Sequence, residues 1–102
     1  MDAFSALAEP RRRRVVEMIA QRGQLNATQI CDEFDVTPQA MSQHLRVLRE
    51  ANMIQMERRA QQRLYTLNPT SMHQIEAWAA GIVRLWNGRL DRLKKALEED
   101  AA

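Results

Sequence analysis

Gln39, Ser42, Gln43, His44 and Arg46 bring amide, hydroxyl, imidazole and guanidinium groups together within eight residues. A Gln side chain carries a donor and an acceptor side by side, the pattern that matches adenine in the major groove. Ser42 suits a base edge or a phosphate, and Arg46 a guanine or a phosphate. Ala40 is small enough to let a helix close on a base, where a thymine methyl would be its contact. His44 adjoins Leu45, so a hydrogen bond within the fold is the alternative to a nucleic-acid contact. A second basic group follows at Arg58, Arg59, Gln62 and Arg63, residue types that suit phosphate. The plainer reading is a solvated helix face followed by a charged sheet edge kept soluble. Against it, Lys and Glu would serve solubility as well and favour helix more than Ser does. Residues 37–67 also hold five Arg against two Glu, a local charge of +3.

Other chemistry finds little support. There is no Gly-rich phosphate loop, no nucleophile–His–acid set and no metal-ligand spacing, so an enzyme is not expected. Neither a metal nor a cofactor is expected. The single cysteine, Cys31, excludes an intrachain disulfide and reads as a buried packing residue. His73 reads as a surface residue. The run Arg11–Arg14 points in four directions on a helix, so it divides between structural pairing and long-range electrostatics.

These groups must be positioned by helices and a hairpin. A short apolar helix is predicted over Phe4–Ala8. A second runs from Pro10 to about Gln21, with Val15, Met18 and Ile19 inward and Gly23 as its stop. Asn26 and Gln29 have the spacing of a capping box and open a third helix, Asn26–Phe34, with Ile30 and Phe34 on its apolar stripe. After Asp35-Val36, Thr37 caps a fourth helix, Thr37–Asn52, with Pro38 at its first position and Met41, Leu45 and Leu48 inward. Asn52 reads as its C-terminal cap. Two alternating runs within Met53–Leu67 predict a hairpin. Its turn, RRAQQ, lacks Gly and is expected to be a loose loop of four or five residues. Asn68-Pro69 then opens a last helix reaching about Glu99, roughly 45 Å long. Its apolar positions include Met72, Ile75, Ala79, Ile82, Trp86, Leu90, Leu93 and Leu97, and Trp78 and Leu85 widen the stripe. The order helix, turn, helix, basic hairpin is that of a winged helix-turn-helix, whose second helix enters the DNA major groove.

The 102 residues are read as one domain: helix-turn-helix 26–52, wing 53–67, and dimerisation helices 2–8 and 69–99. Net charge is +2, and thirteen of the fifteen cationic residues are Arg, which binds phosphate and guanine in a planar, bidentate way. Aromatic residues are 5%, so aliphatic and Met side chains must fill the core. No membrane span or signal peptide is evident. With the lone cysteine, this leads to the expectation of a cytoplasmic protein without a membrane partner.

Three segments, FSALAEPRRRRVVEMI, TPQAMSQHLRVLREANMI and RRAQQRLYTLNP, resemble the ArsR/SmtB-type winged-helix repressors in order and spacing. The resemblance covers nearly the whole chain and implies a mainly α fold with a small β-hairpin, α1-α2-α3-α4-β-β-α5, dimeric through α1 and α5. It implies that Thr37, Gln39, Ala40, Ser42, Gln43, His44 and Arg46 belong to the helix that meets double-stranded DNA, and that Arg58, Arg59, Gln62 and Arg63 form the wing. Phe4, Leu7, Trp78, Ile82, Leu85, Trp86, Leu90 and Leu93 would lie at the homodimer interface, and the operator would have two-fold symmetry. The family's metal sensors carry Cys-Val-Cys at the start of α3, and those positions are Asn26 and Thr28 here. Their α5 site would fall on Ser71, His73, Arg84 and Asn87, which cannot build it. The chain therefore looks most like the branch of autorepressors without a metal site. The alternatives are a winged-helix protein-interaction module and a repressor gated by a hydrophobic ligand at the dimer interface.

Overall fold

Polar side chains just ahead of each helix decide where it begins. In the computed structural model, which describes residues 2–101, Asp2 accepts from the Ser5 amide at 2.7 Å and opens α1 (Ala3–Ala8). That bond is the main reason the Asp2 carboxyl sits below the usual carboxylate range. Glu9 accepts from the Arg12 amide at 3.0 Å and opens α2 (Pro10–Arg22). Asn26 and Gln29 exchange two bonds of 2.8 Å, the predicted capping box, ahead of α3 (Ala27–Asp32). Thr37 accepts from the Ala40 amide at 3.1 Å ahead of α4 (Pro38–Glu50). Asn68 accepts from the Thr70 amide at 3.1 Å, and α5 (Pro69–Ala101) follows.

Helix ends are equally local. Gly23 takes φ 84 and returns its amide to the Ile19 carbonyl at 2.7 Å. After α4, Asn52 takes φ 60, its amide bonds the Arg49 carbonyl and the Met53 amide bonds that of Leu48. This is a Schellman end, and its apolar partners Leu48 and Met53 are both fully buried. α3 stops two residues short of the predicted Phe34. The Glu33 and Phe34 amides reach back only three residues, to Ile30 and Cys31, which tightens and closes the last turn.

The sheet departs from prediction in two ways. β2 (Ile54–Arg59) and β3 (Gln62–Leu67) form the expected hairpin, but Arg59 pairs with Gln62, so the turn is only Ala60-Gln61. Ala60 adopts φ 55 in place of the Gly such turns favour, so the loose loop does not form. A third strand, β1 (Leu25–Asn26), pairs antiparallel with β3 through Leu25–Tyr65 and Asn26–Leu64, giving the order β1-β3-β2. It is too short to leave an alternating pattern, and its partner lies far along the chain.

Compactness divides the chain after Met72. The first unit has a core of Val15, Met18, Ile19, Leu25, Ile30, Met41, Leu48 and Met53, all at most 1% exposed. Three of these are Met, whose unbranched side chains fill space where large aromatics are scarce. Asn68 donates its amide to the Met53 carbonyl at 3.0 Å, and the Ser71 hydroxyl donates to the Asn52 carbonyl, tying the start of α5 to the end of α4. The second unit is the rest of α5. Its Ile82, Leu85, Trp86, Leu90, Leu93 and Leu97 are each exposed by 44% or more, at helical spacing. No described helix is long and apolar enough to cross a membrane.

Candidate nucleic-acid interface

α4 divides its residues cleanly. Met41, Leu45 and Leu48 point into the core, and Gln39, Ser42, Gln43 and Arg46 are exposed on the other side. At about 100° per residue, Gln39, Gln43, Arg46 and Glu50 form one line along the helix, with Ser42 and Arg49 beside it. Arg46 is held along that line by Glu50, Nε to Oε1 at 2.9 Å. Ala40 is half-buried on the opposite flank. The Thr37 hydroxyl is engaged by the Ala40 amide, so its first role is to set the start of α4.

His44 does not share the exposed face. It lies three residues after Met41 and four before Leu48, on the buried flank, and its side chain is 17% exposed. Its Nδ1 stands 3.9 Å from Glu9 Oε2 and 3.5 Å from an Arg12 guanidinium nitrogen. The hydrogen bond within the fold, the alternative to a DNA contact for His44, is thus the contact that this geometry offers. The Arg run likewise resolves residue by residue. Arg12 is half-buried and donates to the Ala6 carbonyl at 2.6 Å and the Ser5 carbonyl at 3.3 Å. Arg11 pairs with Glu9 and Arg14 with Glu17, each at 3.6 Å, whereas Arg13 is exposed.

The hairpin presents its cations on two faces. Arg58 and Arg63 are directly opposite across the strands and so share one face with Met56 and Tyr65, while Arg59 and Gln62 share the other. Arg59 lies 3.7 Å from Glu57. Among the described residues no carboxylate lies within 4 Å of Arg58, Arg63 or Arg49. Like charges directly opposite in a sheet repel, so the Arg58–Arg63 pair is a place that an anion would stabilise. A groove of about 580 Å³ runs between α4 and the hairpin, and Ser42, Arg46, Arg49, Met56 and Arg63 are among its walls. Arg49 was missed in the sequence. Its spacing of three from Arg46 and seven from Ser42 was the available signal.

Cys31 is half-buried, not buried as expected, and borders an open cavity of about 450 Å³ with Thr28, Ser42, Arg63 and Tyr65. Among the described residues no three His, Cys, Asp or Glu side chains come together as a metal site would require. The two positions at the start of α3 where the resemblance would place a metal sensor's thiols hold the N-capping Asn26 and the exposed Thr28. His73 is exposed, 3.8 Å from Glu76.

Residues 7–57 match the helix-turn-helix domain family. The chain is 27% identical over 82 residues to the transcriptional repressor SdpR of Bacillus subtilis, covering 80% of this chain and 90% of that protein. It is 30% identical over 98 residues to the HTH-type transcriptional regulator Rv2034 of Mycobacterium tuberculosis, covering 96% and 88%. Among solved structures, an ArsR family transcriptional regulator superposes with a TM-score of 0.75 at 26% identity, covering 82% of this chain and 86% of that one.

Proposed function

The chain belongs to the ArsR family of winged helix-turn-helix transcriptional regulators, DNA-binding proteins and not enzymes, and from that premise we propose a homodimeric, sequence-selective repressor that works without a metal sensor site. The observation that carries the DNA-reading part is the exposed line Gln39–Gln43–Arg46 beside the uncompensated Arg58–Arg63 pair. The amides of Gln39 and Gln43 read adenine edges, and Ser42 reads a base or a phosphate. Arg46, Arg58, Arg59, Gln62 and Arg63 hold the sugar–phosphate backbone. Two recognition helices related by a two-fold axis call for half-sites about 10 bp apart, or a multiple of that. Repression follows from occupying a promoter and excluding polymerase.

The homodimer rests on the apolar stripe of the second unit. Side chains as large as Leu85 and Trp86, 72% and 58% exposed, call for cover by another apolar surface. A second copy of α5, with Phe4 and Leu7, supplies it. Independence from metal is supported by the side chains at the family's ligand positions, Asn26 and Thr28, neither of which offers a thiolate.

Fluorescence anisotropy on duplex from the chain's own upstream region tests this reading, with a scrambled duplex as control, about 150 mM salt and excess chelator. Tight and selective binding is the expected result. Equal weak binding to both duplexes, repeated on duplexes selected in vitro from a random pool, would overturn it.

A further inference from the structure

We propose that Glu9, Arg12 and His44 form a proton-sensitive brace that sets the recognition helix α4 against the α1–α2 junction and so governs how well it discriminates DNA sequences. The proposal rests on the DNA-binding reading above. Arg12 is the hub. Its guanidinium closes the end of α1 by donating to the Ser5 and Ala6 carbonyls, and the same group stands 3.5 Å from the His44 Nδ1 on α4. A cation at a helix C-terminus satisfies carbonyls that have no partner within the helix. Glu9 is the second arm. One carboxylate oxygen caps α2 through the Arg12 amide and lies 3.9 Å from the same imidazole nitrogen. Its other oxygen is 3.6 Å from Arg11. Arg12 and Glu9 thus both reach one imidazole on α4, and Arg12 also closes α1.

The two protonation states of His44 require different partners. A neutral ring with a bare Nδ1 accepts from Arg12 and leaves Glu9 to cap α2. A ring protonated at Nδ1 can no longer accept, repels the Arg12 guanidinium and draws on Glu9. The groups facing the ring are therefore a cation and an anion on α2 and its cap. α1 has no titratable side chain and contributes only the carbonyls that anchor Arg12. On α4 itself, the positions three and four residues away on either side are Ala40, Met41, Val47 and Leu48, none of them charged. Among the described residues no carboxylate but Glu9 lies within 4 Å of the ring. Protonation trades the Arg12 contact for the Glu9 contact and so moves the hold on α4 from the side chain that closes α1 to the residue that joins α1 to α2. Base reading depends on the angle of α4, whereas phosphate attraction does not, so protonation lowers selectivity more than it lowers binding.

The test measures the ratio of affinities for a selected and a scrambled duplex across the His titration range, about pH 8 to 5. The duplexes come from in vitro selection with the wild-type chain. The ratio is expected to fall roughly fivefold on acidification in the wild type. In His44→Gln, whose amide oxygen still accepts from Arg12 but takes no proton, it is expected to stay flat. The same pH dependence in both proteins would overturn the brace. If no duplex binds at any pH, the DNA reading fails and NMR of the free protein decides the brace alone. Gln43 and Arg46 amide shifts that follow the His44 titration, and are lost in His44→Gln, support it. Shifts confined to the His44 neighbourhood overturn it.

Discussion

Gln43 and Arg63 both stand at the exposed face, yet they are expected to act differently because of their chemistry. Gln43→Ala removes a paired donor and acceptor. It is expected to cost about 1–3 kcal/mol on the preferred duplex and to relax the preference at one base position. An equal loss on random duplex would show that Gln43 reads no base. Arg58→Ala and Arg63→Ala remove charge from a pair that has no acid within 4 Å. Each is expected to weaken binding to all duplexes and to lower the slope of log K against log salt by about one per lost phosphate contact. Glu9 carries a different kind of prediction. Partial burial raises its carboxyl, but the Arg12 amide, the nearby His44 and Arg11 outweigh this and hold it below the ordinary 4.5. A carboxyl lowered in the folded state stabilises the fold above its ordinary value, and that stabilisation is lost as pH falls through the folded value. Glu9→Gln is therefore expected to be destabilising at neutral pH in denaturant titration, with the difference fading below about pH 4.5.

At the level of elements, the hairpin holds the clearest local conflict. Ala60 sits at φ 55 in a two-residue turn, a conformation that strains an L residue with a Cβ. Ala60→Gly relieves that strain but gives the unfolded chain more freedom. The net effect is expected to be a gain of about 0.5–1 kcal/mol, read as a higher denaturation midpoint. α4 is consistent throughout. Its cap, its Pro38, its inward Met41, Leu45 and Leu48 and its Schellman end all specify one helix in one orientation. That consistency explains why its exposed line was legible in advance. α3 shows the opposite case, because a six-residue helix closed by three-residue bonds has no periodic stretch long enough to define its end.

For the whole molecule, the charge of +2 conceals a divided distribution, since residues 37–67 alone carry +3. The second unit is defined instead by its apolar side chains, and the homodimer proposal stands on them. Leu85→Glu places a charge in the middle of that stripe, at a position 72% exposed in one chain. The mass in sedimentation is expected to fall to the 11.8 kDa of a single chain, with far-UV circular dichroism unchanged. Because two linked recognition helices bind with avidity, affinity for a two-fold duplex is expected to drop by about a hundredfold or more. A variant that keeps the dimer mass would remove α5 from the subunit contact.

The helix starts, the inward faces of α2 and α4 and the exposed Gln–Ser–Gln–Arg line were all determined by the sequence alone. Each depends on partners no more than a turn or two away. Thr37 needs only Ala40, Asn26 only Gln29, and Leu45 only its spacing from Met41 and Leu48. Tertiary structure decided whatever depends on a distant return of the chain. Leu25 becomes a strand because Tyr65 comes alongside it. His44 finds a partner within the fold because Arg12, thirty-two residues earlier, reaches its ring. Arg58 faces Arg63 because the turn takes two residues, and one residue more would have shifted the register and placed them on opposite faces. Local hydrogen bonds and periodicity are written in neighbouring residues. Register and long-range pairing are settled only when separate segments compete to cover one another.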